Sequence, residues 1–189
     1  MSINVGVLMG GFSEEREVSL STGSEIIKAC KLLGYKVTNM TFNKNYKRYK
    51  EVMKSCDIIF NALHGGIGEN GHIQKWMDKN NIKYTGSGSK SSSICMNKAK
   101  TKSIATKIGI NTPPWEILKN RSSNINFDLP YVIKPNSGGS TFGLTIIENK
   151  SDIEKALKKA FDGEDKAIIE KYIKGRELTV SIFNGKAYP

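Results

Sequence analysis

Tyr131-Val132-Ile133-Lys134-Pro135-Asn136-Ser137-Gly138-Gly139-Ser140-Thr141-Phe142-Gly143 is the stretch whose reading decides the fold. It opens as a short apolar run, the pattern of a buried strand. A lysine follows at the expected strand end, then a proline that is expected to stop regular pairing, then a loop of glycines and hydroxyls. An ammonium beside a loop of free backbone N–H groups can seat a phosphate. The order is not that of a Walker A loop, in which the lysine follows the glycines and precedes Ser or Thr. Here the lysine comes first and a second strand, Leu144 to Ile147, follows directly. The loop therefore reads as a lid between two strands. An ordinary hairpin with a polar tip fits the same residues, and this stretch alone does not separate the two readings.

Downstream, Ser151-Asp152-Ile153-Glu154 has the form of a capping box, opening a helix that ends near Phe161. Ile153, Ala156, Leu157 and Ala160 follow helical spacing within it. Lys166 to Lys171 reads as a strand ending in the carboxylate of Glu170 and the ammonium of Lys171. Tyr172 to Gly175 turns the chain, Glu177 to Phe183 alternates as a strand, and Asn184-Gly185 signals a hairpin. The sequence stops at Pro189, inside the expected returning strand, so the chain is expected to be a fragment. Upstream, Trp115 to Leu118 reads as a strand. Strands grouped around single helices make this region α+β.

Before about Met96 the pattern is different. Ile3 to Met9 reads as a strand with Val5, Val7 and Met9 on one face. Gly10-Gly11 ends it. Ser13 stands at the cap position of a helix that opens with Glu14, Glu15 and Glu17 and runs to about Leu33, before Gly34. Tyr35 to Thr41 and Asp57 to Asn61 read as further strands, with a surface helix in the Lys/Tyr-rich segment between them. Ala62-Leu63-His64-Gly65-Gly66-Ile67-Gly68-Glu69-Asn70-Gly71 follows the third strand. Glycine turns at strand C-termini form the ligand crevice of an open parallel sheet, which brings Glu15 and His64 to one edge. On local evidence Glu15 reads first as a solvated first-turn carboxylate; its functional reading is an anchor for a substrate ammonium. His64 reads as a structural hydrogen-bonder or a site residue, and His72 as structural. A helix over 72–80 buries Ile73, Trp76 and Met77, Tyr84-Thr85 is a short strand, and helical segments run from Gly86 to Cys95 and from Lys98 to Ile108. The β-α-β-α array over 1–96 and the α+β array over 97–189 define two domains.

Composition excludes several classes. A chain of 189 residues has room for one large or two small domains, and no apolar run approaches the ~20 residues of a membrane span. No membrane partner is expected. The N-terminus enters a strand without the pattern of a signal peptide. Cys30, Cys56 and Cys95 are odd in number, far apart and lack CxxC spacing, so they read as reduced, small core residues of a cytoplasmic protein. The formal charge of +11 is lysine spread along the chain. Its densest cluster, Lys44 to Lys54, carries Tyr46 and Tyr49 but no nucleic-acid module, so no nucleic-acid partner is expected.

Several motifs taken together resemble the D-alanine–D-alanine ligase family of the ATP-grasp superfamily. They are Gly10-Gly11-Phe12-Ser13-Glu14-Glu15-Arg16-Glu17-Val18-Ser19, Leu63-His64-Gly65, Gly68-Glu69-Asn70-Gly71, Tyr84-Thr85-Gly86-Ser87-Gly88, Met96-Asn97-Lys98, Val132-Ile133-Lys134-Pro135, Gly139-Ser140-Thr141-Phe142-Gly143 and Ile169-Glu170-Lys171. They occur in the family's order along the whole chain. The resemblance implies an open parallel-sheet domain that binds substrate, followed by an ATP-grasp domain cut before a C-terminal catalytic region. It implies the joining of two D-alanines through an acyl phosphate, using ATP, for peptidoglycan precursors. Lys98 and Lys134 match the family's phosphate-binding lysines, and Gly139, Ser140 and Thr141 match its lid. Glu170 resembles the acceptor of the adenine amino group, Lys171 and the Ile173 backbone the adenine edge, and Glu177 the ribose acceptor. Glu15, with His64 beside it, matches the carboxylate that holds the first D-alanine, and Ser140 the hydroxyl that contacts the second. Gly138 stands where Glu is common, and Thr141 where Ser is usual. Mg²⁺ or Mn²⁺ is implied, with ligands outside this chain, as is a homodimer through the N-terminal region. Another ATP-grasp ligase, such as one joining D-alanine to D-lactate, and a non-catalytic nucleotide-binding module are the alternatives.

Overall fold

The computed structural model describes residues 2–188; Pro189 lies outside the described residues. Strands β1 (Asn4–Gly10), β2 (Lys36–Phe42) and β3 (Ile58–Asn61) form a parallel sheet in the order β2-β1-β3. The central strand is covered on both faces, which explains its nearly unbroken apolar run. Val5, Val7 and Met9 pack with Cys30 of helix α1 (Arg16–Leu32), while Leu8 packs with Met40, Phe42, Ile59, Ile73 and Met77. Ser13 does not cap α1: the cap position is Glu15, with no side-chain cap bond, and the Ser13 hydroxyl instead donates to the His64 carbonyl at 2.6 Å.

The Lys/Tyr-rich segment is a 3-10 turn (Tyr46–Tyr49) leading into α2 (Lys50–Lys54), and it is not confined to the surface. Tyr46 and Met53 are buried, and Tyr46 meets Trp76 edge-on with ring centroids 5.2 Å apart. The lysines dominate the composition here, but one apolar stripe suffices to dock the segment. After β3 come α3 (Gly66–Glu69), α4 (His72–Lys79) and α5 (Ser89–Cys95). Ile73 and Met77 are buried as expected, and Gln74 is buried too, its amide donating to the Gly68 carbonyl at 2.6 Å. Tyr84 makes a single parallel bridge to Ile59 rather than a strand.

Helix α6 (Lys98–Lys107) leads into an antiparallel sheet of β4 (Trp115–Leu118), β5 (Tyr131–Pro135), β6 (Thr145–Ile147) and β7 (Ala167–Lys171), in the order β4-β7-β5-β6. One face, with Leu118, Tyr131, Ile133, Ile147, Ala167 and Ile169, packs on Ala156, Leu157 and Ala160 of α7 (Ile153–Ala160). Strand alternation sends Val132, Lys134, Ile168 and Glu170 to the other face. Pro135 does not stop the pairing. It stays opposite Ala167, and Asn136 N still donates to the Lys166 carbonyl. The missing Pro135 N–H points toward the β6 side, where pairing has already ended at Ile133–Thr145. The expected capping box does not form: a 3-10 turn occupies Lys150–Asp152, which moves the cap position from Ser151 to Asp152.

Strands β8 (Ser181–Phe183) and β9 (Lys186–Tyr188) form the expected hairpin. Asn184 and Gly185 have φ of 49° and 75°, the left-handed pair that a type I′ turn requires. Residues 177–180 are not strand. They alternate in sequence but pair with no strand among the described residues, and Leu178 and Val180 are exposed.

Candidate functional site

The parallel order β2-β1-β3 sets the loops after β1 and β3 side by side at one sheet edge. The fully buried Ser19 ties them together: its hydroxyl accepts from Gly10 N at 2.9 Å and donates to the Ala62 carbonyl at 2.7 Å. Arg16 Nη1 donates to the Phe42 carbonyl at 3.1 Å, fixing the same loop from the β2 side. His64 Nε2 lies 3.0 Å from the Thr22 hydroxyl of α1. Gly65 has a φ of 65°, and a Cβ at that position would run into the Glu15 carboxylate. The positive φ favours glycine here, and a larger residue would also push the Glu15 carboxylate aside.

The glycine loop reaches this edge from the other half of the chain. Ser140 Oγ donates to Glu15 Oε1 at 2.5 Å, joining residues 125 positions apart. Ser140 and Thr141 have φ of 51° and 57°, a left-handed conformation that costs a non-glycine residue about 1 kcal/mol or more. Thr141 Oγ1 donates to the Ser140 carbonyl at 2.6 Å, and Leu144 N donates to the Thr141 carbonyl at 3.1 Å. Gly143 (φ 70°) closes the loop so tightly that a Cβ there would lie 2.7 Å from Pro135 Cγ.

Beneath the loop is a cluster of charges. In the β5–β7 register Val132 faces Glu170 and Lys134 faces Ile168, so Lys134 and Glu170 are diagonal neighbours on one sheet face. Glu170 Oε1 accepts from Lys134 Nζ, and Glu170 Oε2 pairs with Lys102 Nζ at 2.8 Å. Lys102 also donates to the Thr112 hydroxyl. Burial pushes the Glu170 carboxyl up. The hydrogen bonds and charges of Lys102 and Lys134 outweigh it and hold the group below its ordinary range.

Lys98 sits at the base of the loop. Its ammonium donates to the carbonyls of Ser137 at 3.1 Å and Gly138 at 2.9 Å. Its backbone N donates to the Asn136 carbonyl, and the buried Asn136 side chain accepts from Ala99 N at 3.0 Å. Burial lowers the pKa of Lys98, as does the charge of Lys134, while Glu164 and Glu170 oppose the shift.

The fold thus gathers Glu15, His64 and Ser140 at one place, and Lys98, Lys134 and Glu170 at another, with the glycine loop joining them. Gly139 and Thr141 are exposed at the loop tip. Lys171 ends β7, its backbone N donating to the Pro114 carbonyl at 3.0 Å, and Ile173 and Glu177 are exposed on the run after it. Sequence reasoning missed Ser19, Thr22, Lys102 and Asn136. Ser19 was visible only as part of a motif, and Lys102 only as a lysine four positions after Lys98. Among the described residues, no group of three His, Cys, Asp or Glu side chains is arranged to hold a metal. Nor is any described helix long and apolar enough to cross a membrane.

Known proteins share this sequence pattern and this fold. The sequence model described as D-ala D-ala ligase N-terminus matches residues 37–87, and the one described as D-ala D-ala ligase C-terminus matches residues 104–188. A D-alanine–D-alanine ligase of Bacillus anthracis is 39% identical over 99% of this chain, and one of Pediococcus pentosaceus is 35% identical over 99%. The chain spans 63% of the length of the first and 67% of the second. The crystal structure of the Bacillus anthracis enzyme superimposes with a TM-score of 0.90 at 39% identity, covering 100% of this chain and 63% of that one. A structure of D-alanine–D-alanine ligase from the same organism complexed with ATP gives 0.87 at 38% identity, covering 100% and 65%. With this architecture, and with relatives matched along its whole length, the chain belongs to the D-alanine–D-alanine ligase family of ATP-grasp proteins.

Proposed function

We propose that this chain supplies the D-alanine-binding and nucleotide-binding portions of a ligase that joins two D-alanine molecules, using ATP, for peptidoglycan precursors. The observation that carries this reading is the 2.5 Å hydrogen bond from Ser140 to Glu15, which lays the glycine loop over the edge where Glu15 and His64 lie. A family name alone would not require the lid of one half to touch the anchor of the other.

Residues 1–96 hold the first D-alanine and residues 97–189 hold the nucleotide. Glu15 pairs with the ammonium of the first D-alanine, a charge-assisted contact that also keeps that amine from acting as a nucleophile. His64 stands beside it. A carboxylate oxygen of this D-alanine attacks the γ-phosphorus of ATP, and the bond to ADP breaks. Such a transfer needs positioned positive charge more than covalent help, and Lys98 and Lys134 provide it. Gly139, Ser140 and Thr141 cover the phosphates and exclude water from the acyl phosphate. Ser140 contacts the second D-alanine. Its neutral amine attacks the acyl carbon, phosphate leaves the tetrahedral intermediate, and one proton is released. Glu170 accepts the adenine amino group, Lys171 and the Ile173 backbone line the adenine edge, and Glu177 accepts from the ribose. The described residues do not fit a Mg²⁺ or Mn²⁺ site. The protein acts in the cytoplasm as a homodimer paired through its N-terminal half.

The test is phosphate release by the full-length protein given ATP with D-alanine or D-lactate. The reading expects phosphate and D-alanyl-D-alanine in equal amounts with D-alanine alone. Lys134→Ala should lower kcat/KM for ATP at least about tenfold, or about 1.4 kcal/mol. No phosphate release with D-alanine would overturn the reading. Unchanged ATP kinetics in Lys134→Ala would remove that lysine from the site.

A further inference from the structure

The Glu170 carboxylate is shared by two ammonium groups whose surroundings differ. Lys134 lies on the sheet face beneath the glycine loop, where the reading above has it turn to phosphate. Lys102 lies on α6, one turn after Lys98 and on the same helix face. Its ammonium is tied to the Thr112 hydroxyl and to Glu170 Oε2, whereas Lys98 holds the loop carbonyls. The Lys102 side chain is only 12% exposed and that of Glu170 only 11%. If Lys134 engages phosphate, Glu170 keeps one cationic partner, Lys102. Without it, a largely buried carboxylate would be left unpaired and would take up a proton.

We propose that Lys102 is a positioning residue for base selection, holding Glu170 ionised and oriented as a pure hydrogen-bond acceptor while Lys134 serves the phosphates. This rests on the reading of Glu170 as the acceptor of the adenine amino group. An ionised carboxylate accepts but cannot donate. It therefore favours the 6-amino group of adenine and repels the 6-oxo group of hypoxanthine. A protonated Glu170 could donate to the oxo group, and that selection would be lost. The lysine on α6 thus acts on the base through Glu170, without touching nucleotide.

The experiment measures binding of ATP and of inosine triphosphate to the full-length protein. Lys102→Met should reduce the preference for ATP by about tenfold or more. Lys102→Arg, which keeps the charge, should retain most of it. In a Glu170→Gln background, Lys102→Met should change the preference no further, because its effect runs through Glu170. Should Lys102→Met not fold, Lys102→Gln, which keeps a donor and loses the charge, is read in the same way. A Lys102 variant that weakens both nucleotides equally, or that keeps the full preference while Glu170→Gln loses it, overturns the proposal and leaves the adenine assignment standing. A Glu170→Gln protein with unchanged preference overturns both.

Discussion

In the first half of the chain, the side chains of Glu15 and His64 meet hydroxyls, and the Arg16 guanidinium at this edge bonds backbone carbonyls. The Ser19 hydroxyl joins the two loops through Gly10 N and the Ala62 carbonyl, the Thr22 hydroxyl meets the His64 ring, and Glu15 accepts from the Ser140 hydroxyl. In the second half, Glu170 is held by two lysines on the inner part of a sheet face. The difference follows from topology. A parallel sheet brings its loops together at one edge, where backbone groups are plentiful and side chains meet water. An antiparallel sheet brings side chains together diagonally on a face, where burial makes charges expensive unless they are paired. The first half should therefore tolerate the loss of a charge with little effect on folding, and the second half should not.

The largest effect should come from Glu170→Ala. It leaves Lys102 and Lys134 partly buried without their carboxylate, and removing one partner of a buried ion pair typically costs about 3–5 kcal/mol. Denaturant unfolding measures it, and a loss below about 1 kcal/mol would mean that solvent reaches the cluster and the contrast between the halves fails. Next in size is Ser19→Ala. It strips a buried hydroxyl from Gly10 N and the Ala62 carbonyl, at about 1–3 kcal/mol. It should also weaken D-alanine more than ATP, because it loosens only the parallel-sheet edge.

Of these two residues, Glu170 was readable in the sequence and Ser19 was not. The strands β1, β3, β5 and β7 were visible as apolar runs, and Glu15, His64, Lys134 and Glu170 followed from their positions at or near strand ends. Lys102 was not visible. On a helix that also carries Lys98, Lys100 and Lys107, its charge looks like any solvated one until folding buries it against Glu170. Ser13 misled because a hydroxyl before a helix can cap it or bond elsewhere, and the loop after β3 decided for the His64 carbonyl. The alternation of Glu177 to Val180 also misled, since alternation makes a strand only when a neighbour supplies the hydrogen bonds. Tyr46 lay hidden among lysines, although one aromatic on the inner side was enough to dock the segment.

A smaller effect sharpens the comparison by pH. The folded carboxyl of Glu170 lies below its ordinary value of 4.5, so the unfolded chain takes up its proton first as pH falls. The stability it contributes is complete above that value and is lost as pH drops through the lower folded value. The stability difference between the natural protein and Glu170→Gln should therefore be flat above about pH 4.5 and shrink below it. A difference that shrinks toward alkaline pH instead would mean that the lysines, not the carboxylate, control the cluster. Glu15→Gln, by contrast, should change stability by no more than about 0.5 kcal/mol, because the Glu15 carboxylate accepts from the Ser140 hydroxyl, a bond that an amide oxygen also accepts.

The central claim is that the two halves bind different substrates and meet through the glycine loop. Paired measurement of the Michaelis constants for ATP and for the first D-alanine, in Glu15→Gln and Lys134→Ala of the full-length protein, tests it most directly. Glu15→Gln keeps shape and removes charge, so it should raise the constant for the first D-alanine much more than that for ATP. Lys134→Ala should do the reverse. Equal effects on both substrates in both variants, or a D-alanine constant untouched by Glu15→Gln, would contradict the account.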